Sequence, residues 1–162
     1  MARYHMRKSE LEITDPNVIE EILKQEKYAT LALARGGEPY VDTLNYGYDP
    51  EARALYFHAA DEGLKLAFIR DNPAVCGTVI EDRGYIKGRC DYAFRLVVFW
   101  GHIRRLESGD DKAHGLGCLV DHLEEASGQK RERLLADPGR LRGVAVLRLI
   151  IDVITGKARD LR

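Results

Sequence analysis

From Tyr28 onward the chain runs through a series of short strand-like segments, each closed by a turn signal. Tyr28 to Ala34 (YATLALA) is mostly apolar and ends at Gly36-Gly37, a hairpin turn pair. Pro39 to Tyr48 follows, with Val41, Thr43 and Asn45 on one side and Asp42, Leu44 and Tyr46 on the other. Asp49-Pro50-Glu51-Ala52 forms the next turn, and Arg53 to Ala59 is a third strand. Further on, Ala74 to Asp82, Phe94 to Leu106 and the β-branched Val144 to Thr155 complete a set of about six strands. Gly101, inside the fifth of these, marks a bulge or a close backbone approach.

Helical spacing separates these runs. Asp15 is placed to cap a helix with Pro16 at its first position, and Val18, Ile19, Ile22 and Leu23 share one face of Pro16 to Gln25. Asp61 is a candidate cap for a second helix, with Leu64, Ala67 and Phe68 facing inward and Asn72-Pro73 as its stop. A third helix is expected within Ser108 to Ser127, from Ala113, Leu116, Leu119, Val120 and Leu123. Residues 1–13 read as an arm, Arg83 to Tyr92 as a glycine-bearing loop, and Gly128 to Arg142 as a charged, partly helical segment. The turns joining the first three strands are too short for a parallel crossover. The expected fold is therefore mainly β with peripheral α, an antiparallel barrel in a single domain over residues 1–162.

Composition narrows the function. A net charge of −1 gives no overall attraction to nucleic acid or to an anionic membrane, so neither is an expected partner. No apolar run has the length to span a bilayer, and the basic N-terminus lacks the apolar stretch of a secretory signal. Three widely spaced cysteines, Cys76, Cys90 and Cys118, fit reduced thiols and a cytoplasmic location better than a disulfide framework.

The densest chemistry lies where the third strand meets the second helix. His58 ends the strand and Lys65 follows near the helix start, where exposed amides and an ammonium both favour a phosphate. The plainer alternative is a solvated lysine and a strand-end histidine bonded to backbone, and Asp61 and Glu62 count against an anion. Asp42, Thr43, Asn45 and Tyr46 make the second strand unusually polar. Such a strand could bond the edge of a flat heterocycle, or simply alternate in and out. Trp100 suits a subunit seam, a cofactor contact or ordinary core burial.

His114, Cys118 and His122 form a stripe at i, i+4 and i+8, but the two histidines lie about 12 Å apart along a helix. Ligand bonds of about 2 Å forbid all three from sharing one ion. Two of them could chelate with help from elsewhere, and no metal site is assigned. Arg131, Arg133, Arg140 and Arg142, interrupted by Glu132 and Asp137, read as a solvated helix–loop. No GxSxG, Walker A, GxGxxG or HExxH pattern occurs, which suits a protein whose hard chemistry belongs to a cofactor.

The runs ITDPNVIEEIL, TLALARGGEPYVDTLNYGYD, ALYFHAADEGLK and NPAVC, with the weaker VVFWGHIRRLE and VLRLIIDVITGKA, resemble the flavin-binding split-barrel proteins related to pyridoxamine 5′-phosphate oxidase, in the nitroimidazole-resistance (Nim-like) branch. The resemblance implies a six-stranded antiparallel split β-barrel, a homodimer, and one FMN in each of two interfacial clefts. It places flavin contacts on Asp42, Thr43, Leu44 and Asn45, strand-end contacts on Phe57, His58 and Ala59, the phosphate on Lys65, and Trp100 on the strand offered by the partner subunit. Phe94-Arg95-Leu96 departs from the small polar residues common in the family, a change that could alter phosphate or substrate contacts. The C-terminal arginine and tryptophan pattern of true pyridoxamine phosphate oxidases is absent, so vitamin B6 oxidation is not the expected activity.

The expected function is an FMN-dependent oxidoreductase passing electrons to a small-molecule acceptor such as a nitroaromatic or quinone-like compound. His58 would be its catalytic proton donor, since imidazole exchanges protons near neutral pH. The alternatives are a non-catalytic flavin or haem-binding module for storage, sensing or delivery, with His58 as axial ligand, and a dimerisation domain with an empty cleft.

Overall fold

The computed structural model describes residues 6–125 and 144–160, together with Gly128, Gln129 and Glu132. Eight antiparallel strands form one sheet: β1 (Glu12–Ile13), β2 (Tyr28–Arg35), β3 (Glu38–Asn45), β4 (Gly47–Asp49), β5 (Ala54–Ala60), β6 (Ala74–Ile86), β7 (Asp91–Arg105) and β8 (Val144–Arg159). Helices α1 (Pro16–Gln25), α2 (Leu64–Asp71) and α3 (Gly109–Leu123) lie against it. The strand order is β3-β2-β6-β7-β8-β5-β4, with β1 on β8. β3 and β4 end the path and do not pair with each other, so the sheet does not close.

The six long strands are those expected, and β1 and β4 are short additions. β4 arises because the anticipated second strand breaks at Tyr46. The Tyr46 ring is fully buried and its hydroxyl donates to the Leu23 carbonyl at 2.9 Å. Past this corner the chain leaves β2 and pairs with β5, Gly47 opposite Tyr56. The segment anticipated as a loop over Arg83 to Tyr92 is mostly ladder. β6 continues to Ile86 and β7 begins at Asp91, with a register shift between Asp82 and Tyr85 absorbing the glycine.

The inner face carries the core. Leu31, Leu55, Phe57, Phe68, Phe99, Ile103, Leu147 and Leu149 are fully buried. α1 has the expected bounds: the Asp15 carboxylate accepts from the Asn17 amide at 2.9 Å, and Ile22 and Leu23 are buried. Arg95 is the one buried charged side chain among the described residues. It donates to Glu81, to both Glu21 carboxylate oxygens (3.1 and 3.2 Å) and to Gln25, tying β7 to β6 and α1. Arg95 is thus held in this brace by its carboxylate and amide partners. Its hydrogen bonds hold the Glu21 carboxyl below the ordinary range. Glu81 is lowered too, the bonds from Arg95 and Arg83 outweighing burial.

Candidate functional site

The site is built where β5 runs into α2 across the gap from β3. β4 pairs with β5 only at Ala54, Leu55 and Tyr56, so from Phe57 to Ala60 the edge of β5 away from β8 has no strand partner among the described residues. His58 is exposed there and Ala59 is half-buried. Phe57 is different. Its ring is fully buried in the core, so the expected contact from Phe57 is restricted to its main chain.

The start of α2 corrects the reading of Asp61. The N-cap is Gly63, at φ 143°, where glycine avoids the strain a side chain would bring, and no side chain caps the helix. Asp61 instead binds Arg105, accepting at 2.5 Å through its carboxylate and at 3.2 Å through its carbonyl. Its charge, which weighed against a phosphate, is therefore offset. Phe68 and Ile69 point inward, whereas Leu64, expected on the inner face, is 53% exposed.

Lys65 lies in the first turn of α2, and its ammonium sits 2.6 Å from the Asp42 carboxylate on β3. This pair bridges the gap in the sheet, with side chains only 15% and 25% exposed. Of the expected contacts, the structure brings these two together directly. Leu44 packs against the core. Asn45 donates its amide to the Lys27 carbonyl at 3.3 Å, which explains a polar residue on the same side as Val41. The Thr43 hydroxyl meets that of Thr30 at 2.9 Å.

Thr43 and Trp100 share the outer face of the sheet. Its register aligns Val41, Ala32, Cys76, Trp100 and Val153 in one row across five strands. The neighbouring row is Thr43, Thr30, Thr78, Val98 and Thr155. Apart from Trp100, these rows hold only small and β-branched residues, with Val41 and Val153 exposed and Trp100 half-buried. Trp100 is therefore outside the core. Burial raises the Cys76 thiol above its ordinary range, which disfavours the thiolate beside Trp100.

A groove of about 810 Å³ runs along the far side of α2, lined by Gly63, Leu66, Arg70, Ile103 and Arg104 among others. Sequence reasoning did not single it out, although the paired arginines of GHIRRLE were a signal. Asp61, Glu62 and Glu107 match its three arginines, so it exerts no net pull on an anion. Neither His58 nor Lys65 lines it.

The histidine stripe on α3 is divided. His114 and Cys118 face Asp49, whereas His122 donates to the Glu26 carbonyl at 2.7 Å and packs on Tyr46 with ring centroids 4.9 Å apart. Burial pushes the His122 imidazole below its ordinary 6.5, partly opposed by the bond to Glu26. The folded protein thus resists a proton that the unfolded chain accepts. Stability contributed by neutral His122 is complete above pH 6.5 and declines as pH falls from there toward the lowered folded value. Urea melts at pH 7.5, 6.5 and 5.5 should show this decline, and His122→Gln should flatten it. An unchanged slope in His122→Gln would refute the assignment.

The basic residues Arg131, Arg133, Arg140 and Arg142 lie outside the described residues. Among the described residues, no helix is long and apolar enough to cross a membrane.

Comparison with solved structures places this architecture. A candidate 5-nitroimidazole antibiotic resistance protein from Bacteroides thetaiotaomicron is 24% identical, with 96% of this chain and 95% of that chain covered and a TM-score of 0.73. The flavocytochrome Anf3 from Azotobacter vinelandii is 20% identical over 97% of this chain and 73% of that one, with a TM-score of 0.80. An FAD and haem binding protein from Mycobacterium smegmatis is 20% identical over 92% and 73%, with a TM-score of 0.77. At these identities the likeness shows a common fold. No curated protein matches the chain. The profile described as pyridoxamine 5′-phosphate oxidase matches residues 15–158, nearly the whole chain, and the protein belongs to that family.

Proposed function

We propose that the chain is a dimeric flavin mononucleotide-binding protein of the Nim-like kind, reducing small acceptors such as nitroaromatic or quinone-like compounds. The observation that carries this reading is the Lys65 ammonium, held by Asp42 at the mouth of the split beside a helix start without a side-chain cap. These groups fit a phosphate. Amides of the first turn of α2 and the ammonium favour negative charge, and Asp61 is occupied by Arg105. A phosphate dianion, with more charge and more acceptor oxygens than a carboxylate, replaces Asp42 as the partner of Lys65. The free edge of β5 from Phe57 to Ala60 offers main-chain groups to a ring system, and Thr43 and Asn45 offer polar atoms from β3.

When bound, FMN supplies two-electron transfer between a reduced donor and the acceptor. The protein binds, orients and shields, and His58 stands at the exposed strand end where it can deliver a proton. A His58→Gln variant that keeps FMN but loses turnover with a reduced nicotinamide and a nitroaromatic acceptor would support that role. Undiminished turnover would remove it.

A homodimer completes the cleft. The outer face carries Tyr28 at 61%, Val41 at 63%, Ile80 at 52% and Val153 at 39% exposure, and a second copy would cover these apolar side chains and bring Trp100 toward the flavin. Val41→Asp with Val153→Asp should yield a folded monomer in analytical ultracentrifugation, because charges at exposed positions cost a monomer little. A persistent dimer would show that the subunits meet elsewhere.

A second reading has one observation in its favour. His58 is exposed on an open strand edge, and proteins of the same fold include a flavocytochrome and an FAD and haem binding protein. A haem module with His58 as axial ligand would give a Soret band on haem addition that His58→Ala abolishes.

A further inference from the structure

The aspartate at the end of β4 and two side chains of α3 form a cluster apart from the flavin site. His114 Nε2 lies 3.0 Å from Asp49 Oδ2 and 3.6 Å from Cys118 Sγ, and the three ligand atoms all fall within 4.8 Å of one another. Two glycines create this proximity. A Cβ on Gly47 would stand 2.4 Å from the Cys118 and Leu119 backbone, and one on Gly115 would stand 2.7 Å from the Tyr56 ring. Their absence lets α3 lie directly on β4 and β5, so Cys118 and His114 meet Asp49 without reaching. Asp49 is held in turn: Oδ1 accepts from the Ala52 amide at 3.0 Å, which leaves Oδ2 directed at His114. Tyr56 packs edge-on against the imidazole at 5.4 Å and fixes its plane.

Cysteine, histidine and aspartate together suggest two chemistries, and the geometry separates them. A nucleophilic triad needs the carboxylate on one ring nitrogen and the thiol on the other, so that the imidazole relays a proton between them. Here both approach the same nitrogen, Nε2. Three donor atoms gathered within 4.8 Å of one another, two of them against the same nitrogen, resemble ligands drawn toward a shared ion more than a proton relay. In a tetrahedral zinc shell, bond lengths of about 2.0–2.3 Å place N and O roughly 3.4 Å apart and S and N roughly 3.6 Å apart. The observed separations of 3.0 and 3.6 Å are close to these.

We propose that Asp49, His114 and Cys118 bind one zinc ion per chain, with the fourth position open to water in a groove of about 500 Å³ that Glu51 and Asp121 also line. The mixed S, N and O donor set selects a borderline transition metal over magnesium or calcium. His114 remains 53% exposed, so the ion has access from solvent. The ion would clamp α3 to the β4–β5 turn, and its open position gives it the ligand count of a hydrolytic or Lewis-acid centre and not that of a closed structural site. This site is independent of the flavin.

Metal-free protein is titrated with cobalt(II) and zinc in competition with a chromophoric chelator. One cobalt per chain should bind with tetrahedral d–d bands and a thiolate-to-cobalt charge-transfer band, and zinc should displace it. Cys118→Ser should abolish the charge-transfer band, and Cys118→Ser or His114→Gln, each removing a direct ligand, should weaken zinc binding by at least the roughly 10- to 100-fold that loss of an outer-shell partner costs. Circular dichroism checks that both variants fold. Absence of the charge-transfer band in the wild type, an octahedral cobalt spectrum, or zinc affinity unchanged in both variants would each overturn the proposal.

Discussion

Lys65→Ala is expected to weaken FMN binding by about 10- to 100-fold, because a charge-assisted hydrogen bond to phosphate contributes about 1.5–3 kcal/mol and each 1.4 kcal/mol is tenfold in affinity. Riboflavin, which has the ring and no phosphate, should bind wild type and variant almost equally. The comparison separates an anion contact from general damage, since a collapsed site would lose both ligands. It also separates the ammonium from its neighbour. The Lys65–Asp42 pair at 2.6 Å is half of the device, and Lys65→Arg should keep most of the affinity by preserving the charge. Fluorescence titration of both flavins against the three proteins measures this. Equal loss of riboflavin and FMN would mean that Lys65 supports the fold and does not meet the phosphate.

The second large effect is expected from backbone packing within the sheet. Gly101→Ala would place a Cβ 2.0 Å from the Ile150 carbonyl oxygen, on the backbone of the neighbouring strand. That atom is held in the sheet and cannot turn aside as a flexible side chain can. β7 or β8 must shift, at a cost of about 3 kcal/mol or more, or a fall in Tm of about 6–12 °C for a chain of this size. Gly101 sits at a bulge: Trp100 pairs with Val153 while Gly101 pairs with Ile151, leaving Asp152 as the extra residue. The substitution would therefore also disturb the turn of Trp100 onto the outer face. Gly109→Ala is the control, since a Cβ there meets nothing within 4 Å. Calorimetry showing the two variants equally stable would contradict the packing account.

These two positions differ in how legible they were from the residues alone. Gly101 announced itself, because an isolated glycine weakens a long apolar strand unless a bulge or a close backbone approach requires it. The α1 bounds were equally plain, since Asp15-Pro16 leaves a helix little choice of start. The Tyr46 break was hidden. It depends on a hydroxyl reaching the Leu23 carbonyl, and periodicity along one strand carries no information about a partner 23 residues away. Asp61 failed as a cap for a similar reason: Arg105, which takes its carboxylate, is 44 residues distant. Lys65 was picked by its distance from the strand end, but its partner Asp42 could be assigned only once the sheet had brought β3 to α2. The α3 stripe shows the same limit. Helical spacing placed His114 beside Cys118 and separated His122, yet nothing local indicated that the third ligand would come from Asp49.

The account rests on a flavin phosphate being held at the mouth of the split, and native mass spectrometry of the purified protein incubated with FMN tests this most directly. A dimer carrying two FMN molecules, reduced to flavin-free species by Lys65→Ala at the same concentration, is the expected spectrum. A wild-type protein that stays free of FMN, or that retains it undiminished when Lys65 is alanine, would contradict it.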